Sequence, residues 1–139
     1  MSSKHLPILE SSALAAAVVL TASLAALPTA GSTSGPNQEM RDGLSLLRGA
    51  IFRLELEIGA EEIKFIADSA TLISQLTPRH LSTIPQNPVN QLATISVMPK
   101  HSGRPIFNED TGWVYVPNSG EVRANLTGLD TQGTPYAEY

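Results

Sequence analysis

Residues 40–58 of the chain read MRDGLSLLRGAIFRLELEI, and the spacing of their apolar side chains determines the fold class. Apolar residues recur at intervals of four and three, which places them on one stripe of an α-helix. This stripe, the core stripe, consists of Met40, Leu44, Leu47, Ile51, Leu54 and Ile58. Pro36 and Asn37 suit the start of this helix, and Gly59 suits its end. Such a stripe packs on a sheet or seeds a coiled coil, and we favour packing on a sheet.

The segment after Gly59 predicts two short elements. Ile63, Phe65 and Ala67 recur at every second position, which is typical of a short strand. Asp68 suits the N-cap of a second helix that runs to about Leu76 and ends at Pro78. Residues 82–90 contain two prolines and predict an irregular connection.

The last third of the chain predicts a sheet. Residues 92–98 form a candidate strand, and residues 111–116 and 121–126 predict a hairpin. Gly120 ends the turn between the two hairpin strands, where it can adopt the positive φ of a bulged hairpin. Trp113 and Tyr115 alternate with valines and therefore share one face of their strand. The predicted fold class is α+β, with a long N-terminal helix packed on a small C-terminal antiparallel β-sheet.

Composition excludes several classes of function. The chain has 139 residues, a formal net charge of −4 and 5% aromatic residues, and its nine basic residues are scattered. A nucleic-acid surface needs clustered Lys and Arg or stacking aromatics, so no nucleic-acid partner is expected. The chain contains no cysteine, which excludes disulfides, thiolate metal ligands and cysteine nucleophiles.

No arrangement of side chains predicts an enzyme. The three histidines, His5, His80 and His101, lack the spacing of metal ligands. The acidic pairs at residues 61–62 and 109–110 are sequence neighbours, whose side chains point apart. Neither a nucleophile elbow nor a phosphate-binding glycine loop is present. We therefore expect no catalytic residue, cofactor, metal or small-molecule substrate.

The N-terminal segment predicts a targeting or anchoring element. Residues 11–30, SSALAAAVVLTASLAALPTA, carry no charge and approach the length of a membrane-spanning helix. A cleaved signal peptide, a transmembrane anchor and a pilin-type helix all fit this pattern. Glu10 favours the pilin-type helix, because a carboxylate at the edge of an apolar segment is costly in lipid unless it has a partner. The predicted organisation is a leader and anchor at 1–30, a Gly/Ser/Pro linker at 31–37 and a soluble domain at 38–139.

The N-terminus resembles that of type IV pilins and type II secretion pseudopilins. Residues 8–10, ILE, precede the apolar segment, and Glu10 and Pro28 lie one residue further apart than in that family. The chain departs from the family in lacking a glycine before Leu6 and a phenylalanine at the new terminus.

The soluble domain resembles major pseudopilins in four segments that occur in the family's order. The first two, DGLSLLRGAIFRLELEIG at 42–59 and ATLISQLT at 70–77, resemble the two helices. The others, IPQNPVN at 84–90 and TGWVYVPNSGEVRAN at 111–125, resemble the connection to the sheet and the final hairpin. The fourth segment, which contains Trp113, Tyr115 and Gly120, is the most specific.

The resemblance implies a structural subunit of a type II secretion pseudopilus. The implied partners are other pseudopilin subunits and the inner membrane, with a single membrane pass and the soluble domain in the periplasm. Glu10 would pair with the amino terminus of a neighbouring subunit, and Pro28 belongs to the same assembly helix. Some members bind calcium in the C-terminal loop, but Asp130 is the only acid between residues 128 and 135, so we expect no calcium site. The alternative is a membrane-anchored or secreted binding module that does not polymerise.

Overall fold

The computed structural model describes residues 35–139, which form an α+β domain. The helices are α1 (Pro36–Ile58), α2 (Ala60–Ile63) and α3 (Ser69–Leu76), and a 3-10 turn (Tyr136–Glu138) lies near the end of the chain. The strands are β1 (Ile95–Val97), β2 (Trp113–Val116) and β3 (Glu121–Ala124). The predictions for Glu10, Pro28, the anchor and residues 31–34 of the linker concern residues outside this description.

Helix α1 packs one face on the sheet and on α3. It begins at Pro36, whose missing N–H is not needed in the first turn, and it ends at Ile58, followed by the C-cap Gly59 with a φ of 101°. The core stripe lies on this packed face, with Ile58 half-buried. The buried residues of α1 are Met40, Gly43, Leu44, Leu47, Ala50, Ile51 and Leu54. The amphipathic pattern of residues 40–58 therefore determines which side of α1 faces the core.

The sheet is mixed, which corrects the prediction of an antiparallel sheet. The strand order is β1-β2-β3, with β1 parallel to β2 and β2 antiparallel to β3. Residues 98–112 separate β1 from β2, and a connection of about a dozen residues or more is what a parallel pair needs. Strand β1 also begins later than predicted, because the Leu92 carbonyl accepts from the backbone of Asn87 at 2.9 Å rather than joining the sheet.

The prediction of a strand at residues 63–67 is wrong. Ile63 ends α2, and a turn follows in which Ile66 is buried while Phe65 is 68% exposed. Ile63 and Ile66 are three residues apart, so both lie on the buried side of a helical turn. In a strand, these two side chains would point to opposite faces.

The predictions for α3 and for the hairpin are confirmed in position. The Asp68 side chain caps α3 by accepting from the Thr71 N–H at 2.8 Å. Strands β2 and β3 join through a turn in which Gly120 has a φ of 69° and donates to the Val116 carbonyl at 2.9 Å. Both elements therefore follow from short-range sequence signals.

Trp113 joins α1, the sheet and the irregular connection. Its side chain is fully buried, and its indole N–H donates to the Pro85 carbonyl at 2.7 Å. A Cβ at Gly43 of α1 would lie 2.9 Å from the indole ring, so that only glycine permits this close approach. Trp113 thus fixes the distance between α1 and the start of β2.

The connection at residues 84–92 is also fastened to the residue before β2. Asn87 is fully buried and donates through its side chain to the Gly112 carbonyl at 2.7 Å. A Cβ at Gly112 would lie 2.1 Å from the Leu92 carbonyl oxygen, which leaves no room for a side chain. Residues 84–90 and 111–125 therefore contact each other directly.

Candidate assembly surface

Within residues 35–139, no set of three or more acidic or histidine side chains lies close enough to hold a metal ion. His80 packs against α1 with its Nε2 atom 3.1 Å from Glu57 Oε2, and His101 is exposed in the connection before β2. In the same part of the chain, no helix is long and apolar enough to span a bilayer.

Asn125, which begins an Asn-Leu-Thr glycosylation sequence, is part of the interior. It is 1% exposed, and its amide donates to Asn108 Oδ1 and to Thr111 Oγ1, both at 2.8 Å. Its Oδ1 accepts the Asn108 backbone N–H at 2.9 Å. Asn125 therefore holds the loop before β2 against the end of β3 and is not accessible for modification in the folded domain.

Asp130, the acid considered for calcium binding, is surrounded by hydrogen-bond donors. Its carboxylate accepts from Asn37 Nδ2 at 3.0 Å and from the backbone N–H groups of Gln132 and Thr134 at 2.7 and 2.8 Å. The Tyr139 hydroxyl also donates to it, and this bond is the main reason why the pKa of Asp130 lies below its usual value. Asp130 is 7% exposed and fastens the C-terminal loop to the first turn of α1.

The lowered pKa of Asp130 predicts a pH-dependent contribution to stability. A carboxyl group whose pKa falls on folding stabilises the fold above its unfolded pKa of about 3.9. That contribution disappears as the pH falls through the folded value. We expect Asp130→Asn to lower the melting temperature at neutral pH, and the difference from the wild type to shrink below about pH 4. Melting curves between pH 2 and 7 measure it, and a difference that stays constant at acidic pH would contradict this role.

The face of α1 that points away from the core carries large apolar side chains. Leu46, Phe52 and Leu56 are 56%, 58% and 71% exposed. Since successive helical residues are about 100° apart, these three lie on the half of α1 that points away from the core stripe, with Leu46 and Phe52 on its two flanks. We call this surface, with Gly49 at its middle, the outer face of α1. Asp42 and Arg53 are exposed on the same side, so the outer face is a mixed surface that carries three large exposed apolar side chains.

Packing within the domain does not require a glycine at position 49. A Cβ at this position would meet only the flexible end of Arg53, at 3.6 Å. A glycine inside a helix costs about 1 kcal/mol relative to alanine. The contrast with Gly43, which lies under the Trp113 ring, shows that the two glycines differ in role. A glycine between exposed apolar residues permits close approach of another backbone.

The charged residues beside the outer face are distributed unevenly along α1. Arg41 stacks over the Tyr139 ring at 5.3 Å, and Arg48 donates to the Tyr139 carbonyl at 2.8 Å. Both cations border a cleft of about 440 Å³ in the N-terminal part of the helix. Towards the C-terminal end, burial and then the charge of Glu55 raise the pKa of Tyr115 to about 12. These charged side chains are therefore engaged with Tyr139 and Tyr115 of their own domain.

None of the residues named as sites from the sequence lies on the outer face. The core stripe, Trp113 and Tyr115 are core residues, Gly120 is in the hairpin turn, and Glu10 and Pro28 lie outside the described residues. The signal that could have found the outer face was the excess of apolar residues in 40–58 beyond one stripe. Comparison of the chain with protein-family models, curated proteins and solved structures finds no match.

Proposed function

We propose that the chain is a structural subunit of a type II secretion pseudopilus or a related pilus-like fibre. It acts by subunit packing rather than by catalysis, with the N-terminal segment in the inner membrane and the domain in the periplasm. The observation that carries this proposal is the outer face of α1, because Leu46, Phe52 and Leu56 are exposed where a neighbouring subunit could cover them.

The fold supports the finer part of the proposal, a pilin-like architecture. Helix α1 lies across a small sheet that ends in the β2–β3 hairpin. Residues from three of the four segments that resemble pseudopilins meet at Trp113, which contacts Gly43 and Pro85. In this proposal, the residues that carry the resemblance hold one another in place through these contacts.

In this proposal Glu10 and Pro28 belong to the part of the subunit that enters the fibre. Glu10 pairs with the amino terminus of a neighbour, which compensates a carboxylate removed from water. Other pseudopilins are the partners, and no cofactor is required.

Removing apolar surface from the outer face should prevent assembly without unfolding the domain. We expect Phe52→Gln combined with Leu56→Gln to abolish recovery of the chain in fibres sheared from cells of the native host. Glutamine has nearly the helix propensity of leucine, so the melting temperature should change little. Ile106→Gln is the matched control, because Ile106 is 70% exposed but lies in the connection between β1 and β2. Normal incorporation of the double variant would remove the outer face from the assembly mechanism.

A binding module that does not polymerise is the second candidate. The Gly/Ser/Pro linker at residues 31–37 and the missing glycine before Leu6 favour it. Sequencing the N-terminus of the protein from native membranes separates the two candidates. A processed terminus at Leu6 supports the fibre subunit, whereas a terminus near Gly31 in the soluble fraction supports the binding module.

A further inference from the structure

A pocket of about 280 Å³ lies between the C-terminal end of α1, the α2 segment and the turn that joins β2 to β3. Glu55, Ile63, Lys64 and Tyr115 line it, together with the turn residues 118–120. A water molecule occupies about 30 Å³ in the liquid, so the pocket has room for a side chain or a small ligand.

The hydroxyl group of Tyr115 is buried at this pocket without a hydrogen-bond partner. The side chain is 0% exposed, and no atom within residues 35–139 forms a hydrogen bond with its Oη atom. The Tyr139 hydroxyl, in contrast, donates to Asp130. Buried hydroxyl groups are nearly always paired, because an unpaired one is costly. The Tyr115 hydroxyl therefore remains available to a group that enters the pocket.

The carboxylate of Glu55 is the second polar group with a free capacity in this pocket. Glu55 is half-buried, and no ion pair within residues 35–139 includes it. Lys64, the cation that lines the same pocket, is already paired with Glu61 at 2.8 Å. Burial and then the charge of Glu55 raise the pKa of Tyr115 to about 12, which places this uncompensated charge close to the hydroxyl.

We infer that this pocket binds a primary ammonium group on an apolar stem, which is the chemistry of a lysine side chain. An ammonium group carries three donors, of which one can bond the Glu55 carboxylate and another the Tyr115 hydroxyl oxygen. It also compensates the charge of Glu55, which a neutral ligand would leave uncompensated. The stem packs on Ile63 and on the Tyr115 ring. This inference goes beyond the proposed function and does not depend on fibre assembly.

Titration of the full chain with Nα-acetyl-lysine amide tests the inference, because the only charge of this probe is its ammonium group. The chain has three tyrosines, so isotope labelling at the hydroxyl-bearing carbon of tyrosine gives three NMR signals, and Tyr115→Phe identifies the relevant one. We expect the probe to shift the Tyr115 signal and to leave those of Tyr136 and Tyr139 in place. The Nε-acetylated probe lacks the charge and should bind about ten-fold more weakly or worse.

Variants of the two polar groups test their roles through the NMR signals of the probe itself. Glu55→Gln should lower the affinity for the probe by about ten-fold or more. Glu62→Gln is the matched control, because it removes the same charge from α2 but does not line the pocket, and its affinity should stay within about two-fold of the wild type. Tyr115→Phe should weaken binding but keep the melting temperature, since its hydroxyl has no partner inside the domain.

A third ligand, n-butylammonium, distinguishes the possible sources of the ammonium group. Binding as tight as that of the lysine amide would show that a free amine suffices, whereas preference for the lysine amide would identify a protein partner. Either result supports the pocket. An unshifted Tyr115 signal at saturating probe would overturn the inference, and so would equal losses of affinity in Glu55→Gln and Glu62→Gln.

Discussion

Trp113→Ala is expected to lower the free energy of unfolding by about 3–5 kcal/mol. The indole is fully buried between α1 and β2, where it fills the space left by Gly43 and donates to the Pro85 carbonyl. Its removal leaves a cavity at the point where three segments meet. For a domain of this size, the loss corresponds to a fall in melting temperature of more than about 10 °C. Thermal unfolding of the full chain, followed by circular dichroism, measures this shift.

A second variant separates the two contributions of Trp113. Trp113→Phe keeps an aromatic ring in the core but leaves the Pro85 carbonyl without its donor, which costs about 1–3 kcal/mol. We therefore expect an intermediate melting temperature. If Trp113→Ala melted with the wild type, the indole could not be a core residue, and the packing of α1 on β2 described above would be incorrect.

Gly112→Ala is expected to destabilise the domain by about 3 kcal/mol or more. The new Cβ would lie 2.1 Å from the Leu92 carbonyl oxygen and 3.2 Å from the Asn87 side chain. Because the nearer atom belongs to the backbone, relief of the clash moves the connection away from β2. That movement weakens the bond from Asn87 Nδ2 to the Gly112 carbonyl. A shift of the midpoint in urea, measured on the full chain, gives the change in stability.

Gly103→Ala is the matched control for this substitution. Gly103 lies in the same connection between β1 and β2, and a Cβ there would meet no atom within 4 Å. We expect a change within about 0.5 kcal/mol. Equal effects of the two substitutions would show that the close approach at Gly112 does not limit stability.

The elements that short-range patterns determine were predictable from the sequence. The spacing of the core stripe predicted α1, Asp68 predicted the start of α3, and Gly120 predicted the hairpin turn. In each case the signal and the structure lie within a few residues of each other. The helical turn at residues 63–66 was missed because alternation and helical spacing both fit so short a segment.

The direction of β1 depended on contacts that no local pattern encodes. Residues 98–112 return the chain to the start of the sheet, and Asn87 with Leu92 delays the start of β1. The outer face of α1 was missed for a different reason. Leu46, Phe52 and Leu56 are apolar like core residues, and only the packed structure shows that they stay outside.

The bonds that join the ends of the domain have a consequence for how it forms during synthesis. Arg48 of α1 donates to the Val122 carbonyl, 74 residues later, and Asn37 donates to Asp130, 93 residues later. Helix α1 therefore emerges from the ribosome long before its last partners. Such long-range contacts form late, and they leave the core stripe of the nascent helix uncovered until then. We therefore expect the growing chain to need a chaperone, or to be exported in an unfolded state, until its last strand and C-terminal loop have been synthesised.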